Sequence, residues 1–165
     1  MREIHLTGSW LIRAPREEVY ALVSDFEAMP FNFPKVALSL RIMEREGNHL
    51  KIHAKAKSFG SIFPEISVVM MTDLLPSRGF ISDNVNDTLG TYGHEEFRLQ
   101  DAPEGTLIDY SYRVTIQRAW LRVLARPLMS WMGLRFWERA FIDVLKAKLE
   151  SSSTARSVPD VSPGE

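Results

Sequence analysis

The chain of 165 residues has no cysteine, so disulfide staples and thiolate chemistry are both excluded. Charge of one sign is missing too: 20 Lys and Arg stand against 21 Asp and Glu, a net charge of −1. A general nucleic-acid binder carries a basic footprint, and this balance argues against one. No uncharged run reaches the roughly 18 residues that a membrane span requires. Even the most apolar stretch, from Arg118 to Glu150, is interrupted by Arg122, Arg126, Arg135 and Arg139. The opening Met-Arg-Glu-Ile-His-Leu lacks the apolar core of a signal peptide, which makes a cytoplasmic setting the expectation. A P-loop, a dinucleotide fingerprint and a Ser-His-Asp order are all absent from the sequence.

Metal-ligand spacing is also lacking. His49 and His53 share one face of an expected strand, but strand rise separates them by about 13 Å. Their Lys neighbours would repel a cation. Asp83, Asn84, Asn86 and Asp87 read as a polar loop, because the glycine and terminal glutamate of a calcium loop are absent. No metal and no cofactor is expected.

What is present is a 45% hydrophobic chain, enough for one domain over residues 1–150 with one core. Residues 151–165 are rich in Ser and Pro and poor in large apolar groups, so a disordered tail is expected there. The run from Arg118 to Glu150 reads as a long helix ending near residue 149, with Pro127 at the first position of its main part. At about 100° per residue, Trp131, Leu134, Phe141, Ile142, Leu145 and Leu149 share one face. Met129, Met132 and Phe136 point the other way, so the first half should be covered on more than one side. A basic, aromatic-rich helix in transient contact with a membrane surface is the alternative.

Ahead of that helix the period is two. Ile4, Leu6, Gly8, Trp10 and Ile12 make one face of a first strand, and Arg16 to Val23 a short helix with Pro15 near its start. A second short helix or turn ends at Phe31-Asn32-Phe33-Pro34. Val36, Leu38, Leu40 and Ile42, then Leu50, Ile52, Ala54 and Ala56, predict a hairpin turning at Glu46-Gly47-Asn48. Further strands are expected near 65–72, 80–85 and 95–99, with a loop over 84–93. In a last strand Ile108, Tyr110, Tyr112 and Val114 share a side. The fold class is therefore α+β: a curved antiparallel sheet of about seven strands, with two short helices after strand 1, wrapped round the long C-terminal helix. A strongly curved sheet leaves a space under the helix, and its Trp, Tyr, Phe and Met residues suit a small-molecule pocket.

The stretch Ile12-Arg13-Ala14-Pro15-Arg16-Glu17-Glu18-Val19-Tyr20-Ala21-Leu22-Val23-Ser24-Asp25, followed by Phe33-Pro34, resembles the START-like superfamily, also called SRPBCC. Gly105-Thr106-Leu107-Ile108-Asp109-Tyr110 and the terminal amphipathic helix are similar to it as well. That superfamily includes polyketide cyclase/dehydrase, coenzyme Q-binding and lipid-transfer proteins. The resemblance, over about residues 1–149, implies a helix-grip fold with a deep apolar cavity that takes a lipid, quinone, sterol or polyketide. It brings no shared catalytic set. The glycine-rich loop of the plant-allergen branch is missing, with only Gly60 in that neighbourhood.

On this reading Trp10, Phe31, Phe33, Phe63, Tyr110, Tyr112, Met129 and Trp137 are the expected ligand-binding residues. The candidates for catalysis are Glu95, Tyr110 and Tyr112. Two registers are open for Glu95: with Phe97 and Leu99 inward it faces the cavity, and with Tyr92, His94 and Glu96 inward it faces solvent. The leading expectation is a carrier of a small hydrophobic ligand (lipid, isoprenoid quinone or polyketide). A cyclase or dehydratase in the same cavity is the alternative, and a protein-partner module using Met129, Met132 and Phe136 the second. No nucleic-acid partner is expected, and the oligomeric state is open.

Overall fold

Alternation of apolar and polar residues sets the sheet, and the turns between strands set its order. The computed structural model describes residues 3–57, 65–87, 89–119, 123 and 133–156. The strands are β1 (Glu3–Ile12), β2 (Ser39–Glu46), β3 (His49–Lys57), β4 (Glu65–Leu75), β5 (Gly79–Asn86), β6 (Thr91–Ala102) and β7 (Gly105–Ile116). They form one seven-stranded antiparallel sheet in the order β1-β7-β6-β5-β4-β3-β2. Between the two edge strands, α1 (Arg16–Ser24) and α2 (Met29–Asn32) carry the chain across. Pro15 precedes α1, where a missing N–H is no loss, and Val19 and Val23 bury its stripe. The two segments that carry the START-like resemblance meet here: Thr106 Oγ1 donates to the Ala14 carbonyl at 2.7 Å.

The C-terminal helix consists of α3 (Leu134–Trp137), a π-helical turn (Glu138–Ile142) and α4 (Asp143–Arg156) in direct succession. Ala140, Phe141 and Ile142 are all buried. Three consecutive buried side chains sweep a wide arc on an α-helix, and the wider π turn brings them closer to one side. Phe141, Ile142 and Leu145 join Ile12, Phe97 and Ile108 of the sheet in the core. Aromatic rings tie the layers together: Phe141 stacks on Phe33 at 4.3 Å and meets Phe97 edge-on at 5.8 Å.

Several boundaries differ from expectation. Strand β2 starts at Ser39, because Val36 and Ala37 are held in a turn after α2 by their N–H bonds to Phe33 O. A register shift between Ile42 and Glu44 then leaves Met43 exposed. Strands β5 and β6 reach Asn86 and start at Thr91, so most of the expected 84–93 loop is paired strand. The helix runs to Arg156 rather than stopping near 149. Its expected first half, with Pro127, Met129, Trp131 and Met132, lies outside the described residues, as does residue 63.

Candidate functional site

The sheet and the C-terminal helix enclose a cavity of about 300 Å³. That is the low end of the ~300–1,000 Å³ usual for small-molecule sites. Its apolar wall comes from alternate residues of the sheet, among them Leu6, Leu40, Ala54, Ala56, Ile66, Val68 and Met70. Phe26, Met29, Val36 and Ala37 close it on the side of α1 and α2, and Leu134, Phe136, Trp137 and Phe141 on the helix side. Phe136, expected on an outward patch for a protein partner, is instead part of this wall.

One side of the wall is polar. In β5, Ser82 and Asn84 share the inward parity of Phe80, and in β6 Glu95 shares that of Phe97 and Leu99. The register that turns Glu95 inward is the one adopted. Thr72 Oγ1 and Ser82 Oγ lie 2.8 Å apart, Ser82 donates to Asn84 Oδ1 at 3.0 Å, and Asn84 Nδ2 approaches Glu95 Oε2 at 3.5 Å. The Tyr110 hydroxyl donates to the Glu95 carboxyl, and Asn84 is also hydrogen-bonded to Tyr112. Glu95, Asn84, Tyr110 and Tyr112 all line the cavity. Among the described residues its wall contains no Lys, Arg or His.

Burial decides the protonation of this group. Desolvation pushes the Glu95 carboxyl above the usual carboxylate range, and the bonds from Tyr110 and Asn84 only partly oppose it. Burial also raises both tyrosine hydroxyls, with the nearby Glu95 carboxyl adding to the effect. Burial therefore favours the neutral forms of these weak acids, which can donate as well as accept.

Two glycines shape the aromatic edge of the site. A Cβ on Gly93 would lie 2.4 Å from the Tyr112 hydroxyl oxygen, and one on Gly8 would lie 2.2 Å from the Trp10 ring. Each missing side chain is the space in which a ring lies along the sheet. Tyr110 stacks on Trp137 at 5.1 Å, which stacks in turn on Phe141 at 4.7 Å. The Trp137 indole N–H is buried, with no hydrogen-bond partner among the described residues.

The sequence-derived candidates divide clearly. Tyr110, Tyr112, Glu95 and Trp137 come together on the cavity wall. Trp10 sits behind that wall, tilted against Tyr110 at 6.3 Å and donating its indole N–H to Glu138 at 3.2 Å. Phe33 is fully buried in the core beneath Phe141 and does not line the cavity. Phe31 is 84% exposed, with the Lys148 ammonium 5.9 Å from its ring centre. Its side chain points out because α2 ends beside it, and Met29 and Phe33 take the buried positions. Phe63 and Met129 lie outside the described residues. Sequence reasoning missed Thr72, Ser82 and Asn84, which the apolar alternation could not reveal. The available signal was their even spacing: Thr72 lies two before Leu74, and Ser82 and Asn84 lie two and four after Phe80.

Comparison with known proteins agrees with this architecture. Residues 12–136 match the family described as polyketide cyclase/dehydrase and lipid transport. No curated protein matches the chain in sequence. Among solved structures, the chain is similar to the di-domain ARO/CYC protein StfQ of the steffimycin biosynthetic pathway, at 16% identity and a TM-score of 0.78. That match covers 92% of this chain and 52% of StfQ, so the chain spans about half of that protein's length. The Zhui aromatase/cyclase from Streptomyces sp. R1128 is similar at 15% identity and a TM-score of 0.76, with 94% of this chain and 99% of that one covered. A START superfamily protein from Mycobacterium smegmatis follows at 18% identity and 0.63, covering 90% of this chain and 97% of that one. Likeness at these identities establishes the fold. It leaves the chemistry to the site.

Proposed function

The chain belongs to the polyketide cyclase/dehydrase and lipid-transport family, and from that premise we propose that it binds and carries a small hydrophobic ligand, such as a lipid, isoprenoid quinone or polyketide. The observation that carries this reading is the cavity of about 300 Å³ whose wall is apolar except along one side. Burying a ligand there removes apolar surface from water at about 25 cal/mol per Å². A volume of this size suits a few fused rings or a single short chain, not the two acyl chains of a phospholipid. Titration with the uncharged dye Nile red tests it. The expected result is saturable binding with quenching of tryptophan emission, and displacement by hydrophobic competitors. Binding no tighter than to lysozyme would defeat the carrier reading.

A second reading is favoured by one observation, the buried Glu95 with its raised pKa and its bond to Tyr110. A cyclase or dehydratase needs a proton donor inside an apolar chamber. Glu95 in its protonated form would hand a proton to a leaving hydroxyl, which departs as water, while Tyr112 held a carbonyl of the folded substrate. The resulting carboxylate would take the proton from the adjacent carbon as the double bond forms. On this reading Glu95→Gln lowers turnover by about 10²-fold or more with binding intact. On the carrier reading it leaves the affinity for Nile red, which needs no proton, within about threefold, below the 1.4 kcal/mol of a tenfold change.

A further inference from the structure

Among the described residues the cavity's polar groups fall on one side, and they are all uncharged or acidic. Asn84, Glu95 and Tyr112 line that side within one hydrogen-bonded group. Trp137 lines the same cavity, and its buried indole N–H has no partner among the described residues. Among the described residues no cation faces this group from β1, β3, β4, β7 or the C-terminal helix. A ligand oxygen held there could satisfy donors that the protein leaves underused, and an unsatisfied buried donor is unfavourable. A ligand carboxylate meets a different situation. Beside Glu95 its negative charge would lie in an apolar chamber with no counter-ion among the described residues, and burial of an unpaired charge is strongly unfavourable.

We propose that the ledge of Asn84, Glu95 and Tyr112 makes the cavity select uncharged, hydrogen-bonding hydrophobes (alcohols, phenols and ketones) and reject carboxylates of the same shape. This rests on the cavity being a ligand site, and it deepens that reading by naming the chemistry of the ligand's polar end. Tyr112 and Glu95 are the specificity-determining pair. Gly93 is a positioning residue, because its missing Cβ is the space that the Tyr112 hydroxyl occupies.

Displacement of bound 1-aminoanthracene at pH 7 by naphthalene, 2-naphthol and 2-naphthoate tests the proposal on the intact protein. The three competitors share one ring system and differ in the polar end. The expected order is 2-naphthol tightest and 2-naphthoate at least tenfold weaker. Tyr112→Phe and Glu95→Gln should each weaken 2-naphthol by three- to tenfold while leaving naphthalene unchanged, a ratio that loss of packing alone would not move. Naphthoate binding as tightly as naphthol overturns the proposal, and so do variants in which naphthol and naphthalene weaken in parallel. Those outcomes leave the cavity reading standing. Failure of 1-aminoanthracene and all three competitors to bind sinks the cavity reading and the selectivity with it.

Discussion

Glu95 and Glu96 are neighbours on β6 with the same carboxyl group, and the two faces of the sheet give them opposite fates. Glu95 is 7% exposed, faces the cavity, and is pushed above its ordinary pKa by burial. Glu96 faces outward, where Arg98 lies 3.0 Å away, His94 3.5 Å and Arg113 3.8 Å. Arg98 holds its carboxyl below the usual range, chiefly by hydrogen bonding. The difference teaches that on this sheet chemistry follows parity, not residue type. The outer face spends its charges on one another in solvent, where such pairs contribute about 0–1 kcal/mol each. The inner face sets a few polar groups beside an apolar chamber, where burial favours their neutral forms.

The largest expected effect tests the inner face where it is pure packing. Phe141 is 1% exposed among Phe33, Phe97 and Trp137. Phe141→Ala should destabilise by about 3–5 kcal/mol in a denaturant titration. A loss under about 1 kcal/mol would mean that the helix is not gripped where the structure has it.

Next comes the glycine notch. Gly93→Ala forces a methyl group into the space of the Tyr112 hydroxyl, and overpacking of this kind costs about 1–3 kcal/mol. Gly93→Ala combined with Tyr112→Phe should recover much of that loss, since the clashing oxygen is gone. Two effects that simply add would break the claimed coupling.

The comparison sharpens with pH. Glu95 holds its proton more tightly folded than unfolded, so the folded state carries more protons above the ordinary carboxyl value of 4.5. Its contribution is complete below that value and is lost as pH rises through the folded pKa. Each unit of elevation corresponds to about 1.4 kcal/mol. Glu96 runs the other way: its contribution is present above 4.5 and fades as pH falls through its lowered pKa. Thermal unfolding from pH 3 to 9 should therefore show Glu95→Gln gaining on the parent protein as pH rises. The same series with Glu96→Gln should show a small deficit, under about 1 kcal/mol, confined to the neutral and alkaline side. Curves of the same sign for both variants would contradict the two-faced account.

Much of this fold was legible because hydrophobic alternation is a local signal. Leu50, Ile52, Ala54 and Ala56 face inward as their spacing predicts, and so do Tyr110 and Val114. Glu95 was legible only to within a choice of register, since Gly93 and Tyr92 are equally uninformative about which side is wet. What settles it is tertiary: the Tyr112 ring from β7 fills the space over Gly93. Asn84 and Asn86 read as loop because polar residues on an inward parity mimic a turn. Asn84 holds a strand because Thr72, Ser82, Asn84 and Glu95 satisfy one another across three strands. The π turn was also invisible, because three successive buried residues at 140–142 fit no single helical period. Phe31 and Phe33 were misplaced by treating two aromatics of a short helix end as equivalent. Phe31 lies in α2 and Phe33 just past its end, and that spacing of two sends one to water and the other to the core.

The central claim is that a hydrophobic ligand occupies the space between sheet and helix. Native mass spectrometry of the protein purified from its own host measures this most directly, run beside an Ala54→Leu variant whose added methyl groups intrude into the cavity wall. The account predicts a co-purifying hydrophobic adduct on the parent protein that is lost or much reduced on the variant, with both folded by circular dichroism. Parent protein at its bare mass, or an adduct equally abundant on both, would contradict it.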